Sequence, residues 1–183
     1  MNALRTDVRG TLRYHEPLAP HTSWRVGGPA EIFFEPTDVD DLAVFLAGLP
    51  ADMPLFWMGL GSNLLVRDGG IDGVVVATQR GLGALQQLPS GAVRAEAGVP
   101  CAKLARLCER ERLAGGAFFA GIPGTLGGAL AMNAGAFGGE TWAQVTRVEV
   151  MNRAGARFWR DAAAYEVGYR HVVTPIPGEW FIA

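Results

Sequence analysis

Cysteine, histidine and net charge are all scarce in this chain, which has two Cys, three His and a formal net charge of -2 over 183 residues. Without a basic excess, the chain offers no general surface for nucleic acid or an anionic membrane. Cys101 and Cys108 lie seven apart in one expected helix, hence roughly 10 Å apart at ~1.5 Å rise per residue. A disulfide wants Cα atoms within about 7 Å, so both are expected as buried free thiols in a cytoplasmic protein. No CxxC and no neighbouring His accompany them, so no metal site is expected. The start, Met1-Asn-Ala-Leu-Arg-Thr-Asp7, lacks the apolar core of a secretory signal.

Charge is absent altogether between Arg112 and Glu140. The stretch is long enough to cross a bilayer, but its nine glycines, Pro123 and Asn133 exclude a lipid-exposed helix. No membrane partner is expected. What the chain does have is 49% hydrophobic and 19% charged residues, which suits one domain or two small lobes with a buried core.

Residues 1–20 are polar, with Pro17 and Pro20, and read as a leader. Ala30–Pro36 reads as a strand, followed by a helix capped at Thr37 or Asp38 with Leu42, Phe45, Leu46 and Leu49 at helical spacing. Asp38, Asp40 and Asp41 look like its solvated start. Pro54–Met58 and Ile71–Ala77 read as strands around a Gly-rich turn. These elements make a first α/β lobe over 21–80. The second lobe, 81–183, holds a strand at 92–98, a helix from Pro100 to about Arg112, a hairpin around Arg153–Ala156, a short helix capped at Asp161 before Tyr165–His171, and an apolar strand at 179–183. It stops as though cut. The five tryptophans are too dispersed for a stacking platform and read as core or interlobe packing.

Two glycine-rich pieces carry the chemistry. Gly59, Gly61, Ser62 and Asn63 follow a strand directly, so bare backbone N–H groups, a hydroxyl and an amide can converge on an anion such as a pyrophosphate. Leu64 stands where a dinucleotide fingerprint needs its third glycine, and no Gly-Lys-Ser/Thr exists for a P-loop. A tight strand-to-strand turn is the alternative. The second piece, 121–139, joins Gly121, Ile122, Pro123, Gly124, Gly127 and Gly128 to Asn133 and Gly135. Backbone without side chains can lie flat on a planar ring while Asn133 bonds the ring's edge. A packing seam between lobes is the alternative here.

In order and spacing, Thr22-Ser-Trp-Arg-Val-Gly-Gly28, Gly59-Leu-Gly-Ser-Asn-Leu-Leu65, Gly121-Ile-Pro-Gly-Thr-Leu-Gly-Gly128, Met132-Asn-Ala-Gly-Ala136 and Gly168-Tyr-Arg170 resemble the UDP-N-acetylenolpyruvoylglucosamine reductase family. The resemblance covers nearly the whole chain from about residue 15. It implies an α/β (α+β) fold, a two-lobed FAD-binding domain of the vanillyl-alcohol-oxidase (PCMH) type. The pyrophosphate would lie at 59–63 and the flavin along 121–135. His15, His21 and His171 lack a Gly-Gly-His setting, so the resemblance implies non-covalent FAD.

The resemblance also implies NADPH as hydride donor and UDP-N-acetylglucosamine enolpyruvate as the small-molecule partner. Arg170 matches the family's catalytic arginine, whose planar guanidinium can grip a carboxylate through two parallel hydrogen bonds. Without that context, Arg170 would read as a surface residue. Tyr169 either lines the same pocket or packs. The family's third, substrate-binding domain, with a proton-donating serine and a C-terminal glutamate, finds no match in residues 1–183, so the substrate domain is expected to be absent. Two other readings stay open: a different flavoprotein oxidoreductase of the superfamily, and a truncated FAD-binding module without catalysis.

Overall fold

Strict alternation decides the first sheet. Ile32 and Phe34, with Val74 and Val76 beside them, join one buried cluster; Phe33 and Val75, one residue off, join another on the opposite face. A strand pair covered on both faces needs such unbroken apolar runs. The computed structural model describes residues 7–183. β1 (Thr11–Pro17), β2 (Pro29–Glu35), α1 (Val39–Ala47), β3 (Leu55–Met58) and β4 (Ile71–Ala77) form the first lobe. Its sheet runs β1-β2-β4-β3, with β1 antiparallel to β2 and the rest parallel.

The α1 helix starts where Asp38 accepts the Asp41 N–H at 2.8 Å, an N-cap bond. Leu42, Phe45 and Leu46 are fully buried, and Phe45 stacks on Phe34. Asp41 departs from the expected solvated start. It is buried and accepts from the backbone N–H groups of Arg9 and Thr37 at 2.6 and 2.9 Å. The leader differs too. Residues 11–17 are the edge strand β1, tied to β2 by the Arg13–Glu35 ion pair at 2.8 Å, while residues 1–6 of that expected leader lie outside the described residues.

In the second half, β5 (Leu85–Gln87) and β6 (Val93–Ala95) pair as a hairpin, and α2 (Cys101–Arg110) follows with Pro100 at its N-cap. Both cysteines are free and buried. Within the glycine stretch, α3 (Leu126–Ala131) is a short helix rather than loop. Two glycines in six residues disfavour it intrinsically. Tertiary bonds override this: Leu126 and Gly127 donate to the carbonyls of Val99 and Ala97, both at 2.8 Å, while Leu126, Ala129 and Leu130 are buried.

A two-residue pair, β7 (Gly135–Ala136) with β8 (Gly139–Glu140), precedes a three-stranded antiparallel sheet of β9 (Arg147–Asn152), β10 (Arg157–Asp161) and the late strand β13 (Glu179–Phe181), in the order β10-β9-β13. The short helix expected after Asp161 is a single 3-10 turn at Ala162–Ala164, and a hairpin of β11 (Glu166–Gly168) and β12 (His171–Val173) follows it. Met151 and Ile182 pack into the first lobe's core, so the halves share a seam. Trp142 is buried, but Trp24 is 69% exposed and so falls outside the packing role expected of it.

Candidate functional site

Between the lobes runs a cleft of about 730 Å³, walled by the β3–β4 connection on one side and by residues 121–140 with the β11–β12 turn on the other. A volume of that size falls within the range of cofactor sites, about 300–1,000 Å³. Gly59, Gly61, Ser62, Asn63, Gly121, Ile122, Pro123, Gly124, Gly128, Asn133, Gly135, Tyr169 and Arg170 all line it. Gly127 does not. It faces away, where an added Cβ would sit 2.9 Å from the Ala97 Cβ, so close packing of α3 explains it.

The glycines divide by what a side chain would meet. At Gly59 an added Cβ would run into the Thr125 side chain, and at Gly61, where φ is +64°, into the His21 carbonyl. These two shape the turn. Ser23 N–H donates to the Gly61 carbonyl at 3.1 Å, so the Thr22–Val26 segment buttresses it. At Gly124 the nearest atom is Ser62 Oγ at 3.4 Å, and at Gly128 it is Thr125 Oγ1 at 4.0 Å. Bare backbone at these two positions faces open cleft.

Among the described residues, none of the backbone N–H groups of residues 60–64 donates to a backbone carbonyl. Unpaired donors on a tight turn make a concave anion site. Charge in the cleft is minimal: among the described residues Arg170 is the one cation and Glu140 the one carboxylate on its walls. Arg170 sits in the two-residue turn between the paired residues Gly168 and His171, with φ at +52°, and has no ion pair among the described residues. Tyr169 beside it is 88% exposed on the rim.

Asn133 lines the cleft, and its side chain is bonded within the protein. Its amide donates to Glu140 Oε2 at 3.0 Å and to the Gly168 carbonyl at 3.4 Å, while its Oδ1 accepts the Trp142 N–H at 3.1 Å. Its side chain is committed to the protein. The backbone there has φ at +41°, a left-handed geometry that Asn tolerates better than most residues. Glu140 and Thr125 also line the cleft without having been singled out in the sequence. The charge gap ending at Glu140 was the available signal for the first; nothing local marks the second.

The residues present fit an FAD. Free N–H groups suit its pyrophosphate, and the open backbone at Gly124 and Gly128 leaves space that a Cβ would fill. The family profile described as "FAD binding domain" matches residues 30–159. The chain is 61% identical over 175 residues to the UDP-N-acetylenolpyruvoylglucosamine reductase of Methylococcus capsulatus, covering 96% of this chain and 57% of that protein. It is 58% identical over 183 residues to the reductase of Alkalilimnicola ehrlichii, covering 100% and 61%.

Among solved structures, the reductase MurB from Thermus caldophilus matches with TM-score 0.72 at 30% identity, covering 95% of this chain and 60% of that one. The 6-hydroxy-D-nicotine oxidase of Arthrobacter nicotinovorans matches with TM-score 0.65 at 14% identity, covering 89% and 38%, a likeness of fold alone. The chain thus has the α+β fold of the vanillyl-alcohol-oxidase (PCMH) type, and spans 57% to 61% of the length of these two reductases. By the profile match over most of its length, the chain belongs to the FAD-binding domain family.

Proposed function

We propose that this chain is the FAD-binding part of a cytoplasmic flavoprotein reductase of peptidoglycan precursor synthesis. The reaction is the NADPH-dependent reduction of UDP-N-acetylglucosamine enolpyruvate to UDP-N-acetylmuramate. The observation that carries this reading is one cleft joining the free N–H groups of residues 60–64, the open backbone at Gly124 and Gly128, and Arg170 as the single cation among the described residues that line it. That two relatives are named UDP-N-acetylenolpyruvoylglucosamine reductase supports the choice of reaction.

In this reading, lobe 1 (21–80) holds the pyrophosphate at Gly59, Gly61, Ser62 and Asn63, while lobe 2 (81–183) holds the ring along 121–135. Among the described residues no histidine lines the cleft, which supports non-covalent attachment. Bound FAD supplies reversible hydride transfer. Arg170 then grips the substrate carboxylate and stabilises the negative charge that gathers there as an enolate, an interaction strongest in the transition state. Tyr169 lines the substrate side, and Asn133 positions the Arg170 turn through the Gly168 carbonyl.

Because the chain spans 57% and 61% of the two relatives' lengths, we assign FAD binding to it alone and turnover to a protein of their length. Titrating FAD into the purified 183-residue chain tests the first part. Saturable quenching of flavin fluorescence at one FAD per chain is expected, and no saturable binding overturns it. Anaerobic single turnover of the photoreduced, longer protein tests the second. Reoxidation by the enolpyruvyl sugar is expected, whereas a flavin that stays reduced until oxygen is admitted would indicate an oxidase.

A further inference from the structure

Among the described non-glycine residues with positive φ, Phe137 alone is apolar, at +52°. It is also 86% exposed. Phe137 and Gly138, the latter at φ +82°, are the two residues between the paired Ala136 and Gly139, so the β7–β8 hairpin closes on a turn with positive φ at both central positions. Turns of that kind favour Asn-Gly or Asp-Gly. A bulky side chain at the first central position is an outlier, and outliers that persist cluster at ligand sites. Folding does not account for this one, because so exposed a ring buries little apolar surface.

The surroundings of the ring give it a direction. A Cβ added at Gly121 would lie 2.6 Å from a ring carbon of Phe137 and 2.6 Å from the Ala136 Cβ, so the bare backbone of Gly121 is what lets the ring rest there. Gly121, Ala136 and Gly138 all line the glycine-walled cleft. The ring therefore stands at the rim of that cleft, on the wall that continues through Gly124 and Gly128. Asn133 fixes the hairpin to the turn that carries Arg170, since its amide donates both to Glu140 on β8 and to the Gly168 carbonyl.

We propose that Phe137 is a binding residue for the flavin of FAD, its ring packing against the isoalloxazine and extending the glycine wall beyond Gly121. The inference rests on the FAD reading above. A phenyl ring offers neither charge nor a hydrogen bond, so the group it recognises is itself an apolar ring, and aromatic pairs gain beyond the area they bury. With the pyrophosphate at 59–63 and the ring along 121–135, the flavin is the part of FAD that meets this wall. The strained turn holds the phenyl ring ready before binding, which reduces the ordering that binding must impose.

The test compares Phe137→Asn, which makes the turn Asn-Gly, with Phe137→Trp, which keeps an aromatic ring. Each 183-residue variant is titrated with FAD, and the thermal midpoint of the FAD-free chain is measured alongside. In Phe137→Asn the midpoint is expected to rise by about 2 °C or more, while the FAD dissociation constant increases by about fivefold or more. Phe137→Trp should bind within about threefold of wild type. A ring with a purely structural role would move stability and affinity down together. Wild-type affinity in Phe137→Asn overturns the proposal, as does a lowered midpoint in that variant or an equal loss of affinity in Phe137→Trp. No FAD uptake by the wild-type chain overturns instead the FAD reading on which the proposal rests.

Discussion

Asn133 donates its side-chain amide to the carbonyl of Gly168 at 3.4 Å and so ties the glycine stretch to the turn that carries Arg170. The same side chain accepts the buried Trp142 N–H. Asn133→Ala orphans that donor, which costs about 1–3 kcal/mol. Asn133→Asp keeps the acceptor but sets a carboxylate against Glu140, whose Oε2 lies 3.0 Å from the present amide nitrogen. A thermal midpoint below wild type is expected for both variants. Only that of Asn133→Asp should recover as pH falls from 7 to 5 and the carboxylate pair gains a proton. Equal pH profiles would show that Glu140 does not sense position 133.

Glycines that shape the cleft and glycines that face a ligand respond oppositely to a methyl group. Gly61→Ala combines φ at +64° with a collision at the His21 carbonyl and is expected to destabilise by about 2 kcal/mol or more. Gly124→Ala meets only Ser62 Oγ at 3.4 Å, so stability should stay within about 1 kcal/mol of wild type. FAD affinity should nevertheless fall. Chemical denaturation combined with flavin titration separates the two. Unchanged FAD affinity in Gly124→Ala would remove that residue from the flavin wall.

Burial pushes the Cys101 thiol up to about 11 from 9.0, and pushes the Tyr165 hydroxyl up to about 12 from 10.0, with Glu179 adding to the second shift. Both folded groups keep protons that the unfolded chain releases. Above pH 9 the unfolded state therefore binds fewer protons than the native one, and stability falls as pH rises towards 11 and 12. Thermal midpoints between pH 8 and 11 should decline. Cys101→Ala should flatten the part of that decline above pH 9. At pH 7 neither cysteine should react with an aromatic disulfide reagent until the chain is unfolded.

Local pattern made much of this readable in the sequence. Alternation at Ile32, Phe33 and Phe34 and helical spacing at Leu42, Phe45 and Leu46 are signals that burial on two faces and on one stripe must leave. The two cleft walls were visible as glycine clusters because backbone that approaches closely excludes side chains. Non-local bonds hid the rest. The α3 helix depends on carbonyls of Ala97 and Val99 some thirty residues away, Asp41 is buried by the distant Arg9 N–H, and β1 exists because β2 offers it an edge. Composition at 126–131 or 11–17 carries none of those partners. The same blindness hid the bonds that brace the Asn133 side chain to Glu140, Gly168 and Trp142.

Arg170 combines three properties rarely found together: exposure, a left-handed backbone at φ +52°, and no ion pair among the described residues. An exposed side chain without partners contributes little to folding, so Arg170→Ala should leave stability within about 0.5 kcal/mol of wild type. Arg170→Gly should raise stability by about 1 kcal/mol by releasing the backbone strain. Neither change should alter the flavin spectrum or FAD affinity, because the glycine turn at 59–63, proposed to hold the pyrophosphate, lies on the opposite wall. In a protein of the relatives' length, the flavin-to-substrate step should fall by about 10²-fold or more in Arg170→Ala, the usual loss for a removed oxyanion donor. Arg170→Lys should recover only part of it, since an ammonium cannot make the paired bonds of a guanidinium. Single-turnover reoxidation reads this step directly. Wild-type rates in Arg170→Ala, with FAD still bound, would sever the turn at 168–171 from the chemistry and leave the cleft as a flavin site alone.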